Sequence, residues 1–313
     1  MSPLCRPLRP VVTAPQGPAS PASRLVRFML GLLGMKGAME RNILNDGFRR
    51  EPAGIPGSMA KRFRVEVREV DGRKVWTLSP KDGAGEAVIL FLHGGAYHAN
   101  ITKMHWRFIG QILARTKAEA IVPDYPLAPG STCADACRFL DKVYASLVSD
   151  HPGKAVVLMG DSAGGGLALG LAMKIREEGL KQPEQIILFC PWLDASMTNA
   201  GLPQLARRDK ILSIQGLKIA GKKYAGDLPL TDYRLSPIYG DLYGLGRVTV
   251  FTGTHEILLA DARTLKQRLE RQQADFSYHE YPGMFHDWML VPGLPESGDV
   301  IVKVVQSLFP GKG

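Results

Sequence analysis

The chain alternates between short, uniformly apolar runs and longer segments whose apolar positions recur every three or four residues. Ala87–Leu92 (AVILFL) and the run that opens at residue 155 (AVVLM) are too short for helices and apolar at every position, which marks strands buried on both faces. Further strands are expected at 120–122, Gln185–Phe189, 247–252 and Phe276–Tyr281, with helices near 104–115, 133–149, 262–272 and 300–308. Segment 62–70 differs: Phe63, Val65 and Val67 alternate with charged residues, as in a half-exposed edge strand, and Asp71-Gly72 turns the chain back onto 74–78. Eight strands interleaved with helices predict an α/β fold, a mostly parallel sheet wrapped by helices on both faces.

Two regions break this rhythm. Residues 1–23 are rich in proline, alanine and serine and show no hydrophobic period, so a disordered tail is expected there. Beyond them, Leu25, Phe28, Met29, Leu32 and Leu33 share one helical face. Later, more than fifty residues separate Pro191-Trp192-Leu193-Asp194 from the strand near 247, and they include a basic amphipathic stretch at 205–224. Connections in compact folds are usually far shorter, and long ones tend to be functional.

Composition narrows the picture. At 313 residues and 45% hydrophobic content the chain can bury a large core. It has no run of eighteen apolar residues, and the apolar stretch 28–35 lies far from Met1 without a small-residue cleavage site after it, so a cytoplasmic protein without membrane insertion is expected. Cys5, Cys133, Cys137 and Cys190 show no metal-like spacing. The net charge of +9 is concentrated: residues 1–74 hold 14 Lys/Arg against 6 Asp/Glu, and the remainder 25 against 24. A nearly neutral body argues against nucleic acid as a partner and leaves a basic N-terminal face that could touch anionic surfaces weakly.

The strand opening at 155 leads into Gly160-Asp161-Ser162-Ala163-Gly164, followed by an alanine- and leucine-rich helical segment. This strand, sharp turn and helix match a nucleophile elbow that lifts the Ser162 hydroxyl above the sheet edge. The strand at Ala87–Leu92 leads into His93-Gly94-Gly95-Ala96-Tyr97, where paired glycines can present backbone N–H groups to an oxyanion. A serine hydroxyl needs a base. Of seven histidines, His286 lies in the loop after the last strand, where the third member of a Ser, acid, His order falls; His255 is the alternative. His93 is assigned to loop structure, and His98, His105, His151 and His279 lie in segments without a second catalytic feature. Two acids compete. Glu256 sits just past a strand end, whereas Asp261 precedes a helix and is explained by capping alone. Tyr97, Trp192 and Phe285 flank these motifs, either as substrate-pocket residues or as core packing.

HGGAY, DYPLAP at 124–129, GDSAGG at 160–165, PWLD at 191–194 and GMFHDW at 283–288 occur in that order, and together they resemble the hormone-sensitive lipase family of α/β-hydrolases. The likeness runs from about residue 60 to the C-terminus and implies an α/β-hydrolase fold with an eight-stranded sheet and a helical cap. The division it suggests is a tail at 1–23, an N-terminal cap helix region at 24–57, and a catalytic domain at 58–313 carrying a cap insertion at about 197–235. The resemblance implies a carboxylesterase for short- to medium-chain esters, with Ser162, Glu256 and His286 as triad and the N–H groups of Gly94, Gly95 and Ala163 as oxyanion donors. It implies no cofactor and no metal, and makes a homodimer a candidate assembly. Lactones, amides, acyl transfer, or binding of a small molecule without turnover are the alternatives. Two positions depart from the common pattern: Glu256 stands where most relatives carry aspartate, and Gly130 where they usually carry glutamate.

Overall fold

All eight expected strands are present in the computed structural model, which describes residues 11–13 and 17–308. In chain order the elements are β1 (Val11–Thr13), α1 (Pro21–Leu32), α2 (Met35–Leu44), α3 (Gly57–Arg62), β2 (Phe63–Val70), β3 (Arg73–Pro80), β4 (Ala87–Leu92), α4 (Lys103–Thr116), β5 (Glu119–Pro123) and α5 (Cys133–Asp150). Then come β6 (Ala155–Asp161), α6 (Ala163–Glu177), β7 (Gln185–Phe189), α7 (Leu202–Ala206), α8 (Ile214–Ala225), β8 (Arg247–Gly253), α9 (Leu259–Arg271), β9 (Phe276–Tyr281) and α10 (Pro295–Leu308). They build one sheet in the order β1-β9-β8-β7-β6-β4-β5-β3-β2. Among the described residues only the β2–β3 and β3–β5 pairings are antiparallel. The β2–β3 hairpin closes through Asp71 and Gly72, both at positive φ, the conformation a two-residue hairpin turn demands.

Helices cover both faces because the inner strands are apolar on both. Along β4, Val88, Leu90 and Leu92 enter the core shared with α5 and α6, while Ile89 and Phe91 enter the core shared with α4 and α10. Among the described residues no helix is long and apolar enough to cross a membrane.

The N-terminal region carries elements that the hydrophobic pattern did not predict. Among the described residues the eight expected strands are joined by a ninth, β1, which adds to β9 in parallel, Val11 opposite Ser277, inside the stretch expected to be a disordered tail. Backbone pairing of three residues needs no side-chain period, so hydrophobic patterning does not reveal it. That stretch also contains the start of α1: the Ser20 hydroxyl accepts the Ser23 N–H, and both serines bond the Glu296 carboxylate of α10. The rest of the expected tail, 1–10 and 14–16 with Cys5, lies outside the described residues. The helical periodicity from residue 24 covers two helices, broken at Gly34 with φ of 64°. Lastly, α1 turns Ser23, Val26 and Leu30 inward, and the face bearing Leu25, Phe28, Met29 and Leu32 outward.

The 24–57 and 197–235 segments meet. Ile43 of α2 is buried beside Gly216 of α8, and Lys223 donates to the Ile43 carbonyl at 2.9 Å and pairs with Asp46 at 2.8 Å.

At the centre, β6 passes into α6 through Ser162 alone, and backbone crowding there excludes any side chain on the flanking glycines. A Cβ on Gly164 would lie 2.0 Å from the Leu92 carbonyl oxygen, and one on Gly160 would lie 2.4 Å from the Gly164 oxygen. Gly164→Ala is therefore expected to destabilise the protein by about 1–3 kcal/mol or more, since β4 and the elbow must separate to admit a methyl group. Urea unfolding measures this, and wild-type stability in the variant would contradict so close a packing.

Candidate active site

Ser162 has φ of 51° and ψ of −119°, a strained backbone for a residue with a side chain. Three hydrogen bonds hold it: its N–H donates to the Phe189 carbonyl at 2.8 Å, and its own carbonyl accepts from Trp192 at 2.9 Å and Gly166 at 3.2 Å. The hydroxyl is thereby placed 2.9 Å from His286 Nε2. On the far side of the ring, His286 Nδ1 donates to Glu256 Oε2 at 2.6 Å. Glu256 Oε1 in turn accepts from the Thr252 hydroxyl and the Gly253 N–H, each at 2.9 Å. The carboxylate thus fixes the tautomer that leaves Nε2 free to take the serine proton.

Of the two candidate acids, it is Glu256 that bonds the His286 ring. Asp261 accepts from Asn199 Nδ2 at 2.8 Å, in the first turn of α9, and burial pushes its carboxyl up to about 6. His255 stands outside the line, beside Thr254, and burial together with Arg27 and Arg208 lowers its pKa to about 4. His93 shapes the loop as expected, stacking on Tyr125 with centroids 4.4 Å apart.

One oxyanion assignment needs correction. The Gly94 N–H is spent on Asp161 Oδ2 at 3.0 Å, so Gly94 has no proton to offer a substrate. For the N–H groups of Gly95 and Ala96 no acceptor is recorded among the described residues, and Ala163 is the first residue of α6, where the N–H has no intrahelical partner. The pocket assignment also changes. Tyr97, Trp192 and Phe285 are almost wholly buried; Tyr97 stacks on Trp192 and on Tyr224 of α8, with centroids 5.1 and 4.1 Å apart, and Phe285 lies in the core beneath α10. Their place is packing.

Four further groups lie near this line, Asp161, Asp209 and Cys190 buried and Asp287 half-buried. Asp161, next to the nucleophile, also accepts from His105 Nε2 at 3.1 Å, and despite the cost of burial this carboxylate raises the His105 pKa. Asp209, in the 197–235 insertion, accepts from the N–H groups of Ile211, Leu212 and Ile257 at 2.8 Å, tying that insertion to the loop that carries Glu256. Cys190 lies within 4.8 Å of the Glu256 and His286 ligand atoms, and burial followed by the Glu256 charge keeps its thiol protonated. Most consequential is Asp287. Its Oδ2 lies 3.1 Å from His286 Nε2, the nitrogen that faces Ser162. Burial opposes a charged imidazolium, but Asp287 first and Glu256 second outweigh it and hold the His286 pKa well above its ordinary value.

Residues 89–290 match the family described as alpha/beta hydrolase fold. LipR of Mycobacterium tuberculosis, assigned as an acetyl-hydrolase, is 32% identical over 80% of this chain and 80% of its own length. An esterase of Acinetobacter venetianus is 30% identical over 70% of this chain and 73% of its own. Among solved structures, EstE5 soaked with p-nitrophenyl butyrate superposes with a TM-score of 0.77 at 26% identity, covering 93% of this chain and 98% of that one.

Two expectations follow for hydrolysis of an activated ester. Glu256→Gln, which misplaces the imidazole proton, should lower kcat by about ten thousand-fold, while Asp261→Asn leaves it essentially unchanged; the reverse pattern would move the acid to Asp261. Since only neutral His286 can act as base, a raised pKa delays activity to higher pH. Asp287→Asn removes one charge that raises it, so the acid limb of kcat/KM should move to lower pH by about one to three pH units. An unmoved limb would mean that Asp287 does not act on the base.

Proposed function

The chain belongs to the α/β-hydrolase-fold family, and from that premise we propose that it is a serine carboxylesterase for short- to medium-chain carboxylic esters. The observation that carries the reading is the unbroken line from Glu256 through His286 to the Ser162 hydroxyl, 2.6 and 2.9 Å at its two links. A protein that only binds its ligand has no need of this line, which supports turnover rather than reception alone. Relatives named as an acetyl-hydrolase and an esterase, and a structural neighbour soaked with a butyrate ester, support small acyl groups.

The reaction proceeds in two acyl transfers. As the Ser162 proton passes to His286 Nε2, Oγ bonds to the ester carbonyl carbon, and the charge moves onto the carbonyl oxygen. The N–H groups of Gly95, Ala96 and Ala163 receive that oxygen; each such donor is worth about 3–4 kcal/mol in the transition state. The position of Ala163 at the start of α6 adds the positive end of the helix dipole. When the tetrahedral centre collapses, the bond to the alkoxy oxygen breaks, His286 returns its proton to the departing alcohol, and an acyl-Ser162 remains. Water then gives its proton to His286 and attacks the acyl carbon. The second collapse releases the carboxylic acid and restores the serine.

Ser162→Ala should lower hydrolysis of p-nitrophenyl butyrate by at least about 10⁴-fold. In the wild-type protein, kcat/KM across a p-nitrophenyl ester series should be highest for short and medium chains and fall toward palmitate. Full activity in the alanine variant would remove the serine mechanism, and a maximum at palmitate would remove the substrate class.

A further inference from the structure

Helix α1 is apolar on two sides, and only one of them is used. Inward, Val26 and Leu30 pack on the core, Ser20 caps the first turn, and the Arg27 guanidinium donates to the Gly283 carbonyl at 2.6 Å, three residues before His286. Outward, Leu25, Phe28 and Leu32 are 61, 65 and 70% exposed, with Leu33 just beyond the helix end at 66%; Met29, on the same face, is exposed as well. Amphipathic helices of a globular fold normally turn such a stripe toward the core, and a contiguous exposed one marks an interaction surface.

The charges around the stripe say what it meets. Segment 24–39 contains Arg24, Arg27 and Lys36 and no acidic residue. A second set of cations comes from the 197–235 insertion: the Lys36 ammonium reaches the Ala206 carbonyl at 2.7 Å, and the Lys210 side chain lies 3.3 Å from where a Cβ on Gly31 would stand. Arg207, Arg208 and Lys210 are exposed there, while Asp209 between them is buried and turned onto backbone N–H groups. Among the described residues, no ion pair engages Arg24, Lys36, Arg207, Arg208 or Lys210.

We propose that the outer face of α1, ringed by the cations at 24, 36, 207, 208 and 210, docks the protein onto an anionic lipid surface. An apolar stripe sinks into the boundary between headgroups and acyl chains, and flanking Lys and Arg meet the anionic headgroups. A second copy of the chain fits the surface poorly. Two-fold pairing through α1 would bring two unpaired cationic rims together, and like charges oppose it. The docking belongs to the surface rather than to the chemistry, so it survives loss of the nucleophile.

The test is co-sedimentation with vesicles of equal parts phosphatidylglycerol and phosphatidylcholine, against vesicles of phosphatidylcholine alone. Wild-type protein and Ser162→Ala should both bind the anionic vesicles, more weakly in about 0.5 M salt, where surface charges are screened. Phe28→Glu with Leu32→Glu, and separately Arg207→Glu with Arg208→Glu, should each weaken binding by at least about tenfold, each arginine near a membrane being worth roughly fivefold. Hydrolysis of soluble p-nitrophenyl acetate and the unfolding transition should stay at wild-type values in both. If the α1 double variant loses its fold, the arginine pair, on another segment, gives the answer alone. Absence of wild-type binding, binding unaltered in the arginine pair, or a wild-type dimer that Phe28→Glu with Leu32→Glu converts to monomer would each overturn the proposal.

Discussion

The site rests on keeping carboxylates inside protein, away from water. Glu256, Asp161 and Asp209 are buried, a costly condition unless hydrogen-bond donors replace the lost solvent. Each accepts at least two hydrogen bonds, although Asp161 takes both of its bonds on Oδ2. Glu256 takes the Thr252 hydroxyl, the Gly253 N–H and the His286 ring; Asp161 takes the Gly94 N–H and His105; Asp209 takes three N–H groups, one of them from Ile257. The same bonds therefore do two jobs. They offset the burial of charge, and they join the glycine loop to the elbow, the insertion to the acid loop, and the end of β8 to the base.

The parallel sheet makes this convergence possible. β4, β6, β8 and β9 lie in one sheet and run the same way, so the glycine loop, the nucleophile, the acid and the base all emerge from carboxyl ends at one edge. Within that frame Ser162 is held in a conformation it would not adopt alone. Its N–H is tied to β7 and its carbonyl to Trp192 and Gly166, so relaxing φ would break bonds on both sides. Strain at a functional residue persists where the surroundings over-determine it.

What could be read from the sequence follows the range of the forces involved. The elbow was legible because its requirement is steric and local: Gly160 and Gly164 are small because the backbone crosses itself there. The buried strands were legible because uniformly apolar runs have few other uses. The spent N–H of Gly94 was not, since its partner Asp161 lies 67 residues away, and a glycine pair looks the same whether or not one proton is taken. Asp287 was hidden differently. An acid beside the base is plain in the chain, but only the left-handed backbone at 287, φ of 54°, brings its carboxylate to the ring edge that faces Ser162. The choice between Glu256 and Asp261 turned on which loop position points at the base, a matter of tertiary geometry. β1 left no trace because a three-residue backbone pairing writes no period.

The outward face of α1 shows the limit most clearly. Periodicity identifies that Leu25, Phe28, Met29 and Leu32 share a side, but it carries no sign, and a stripe destined for the core is written like one destined for an external apolar phase. What breaks the tie is charge. Helices that bury an apolar stripe here, such as α5 and α9, bear both acids and bases, whereas 24–39 has cations only, and residues 207–210 of the neighbouring insertion add three more while burying Asp209. Sequestering Asp209 has a structural use, the anchoring of Ile257, yet it also leaves residues 207–210 presenting cations alone. A single buried aspartate thus serves both the geometry of the acid loop and the charge of the surface that segment presents.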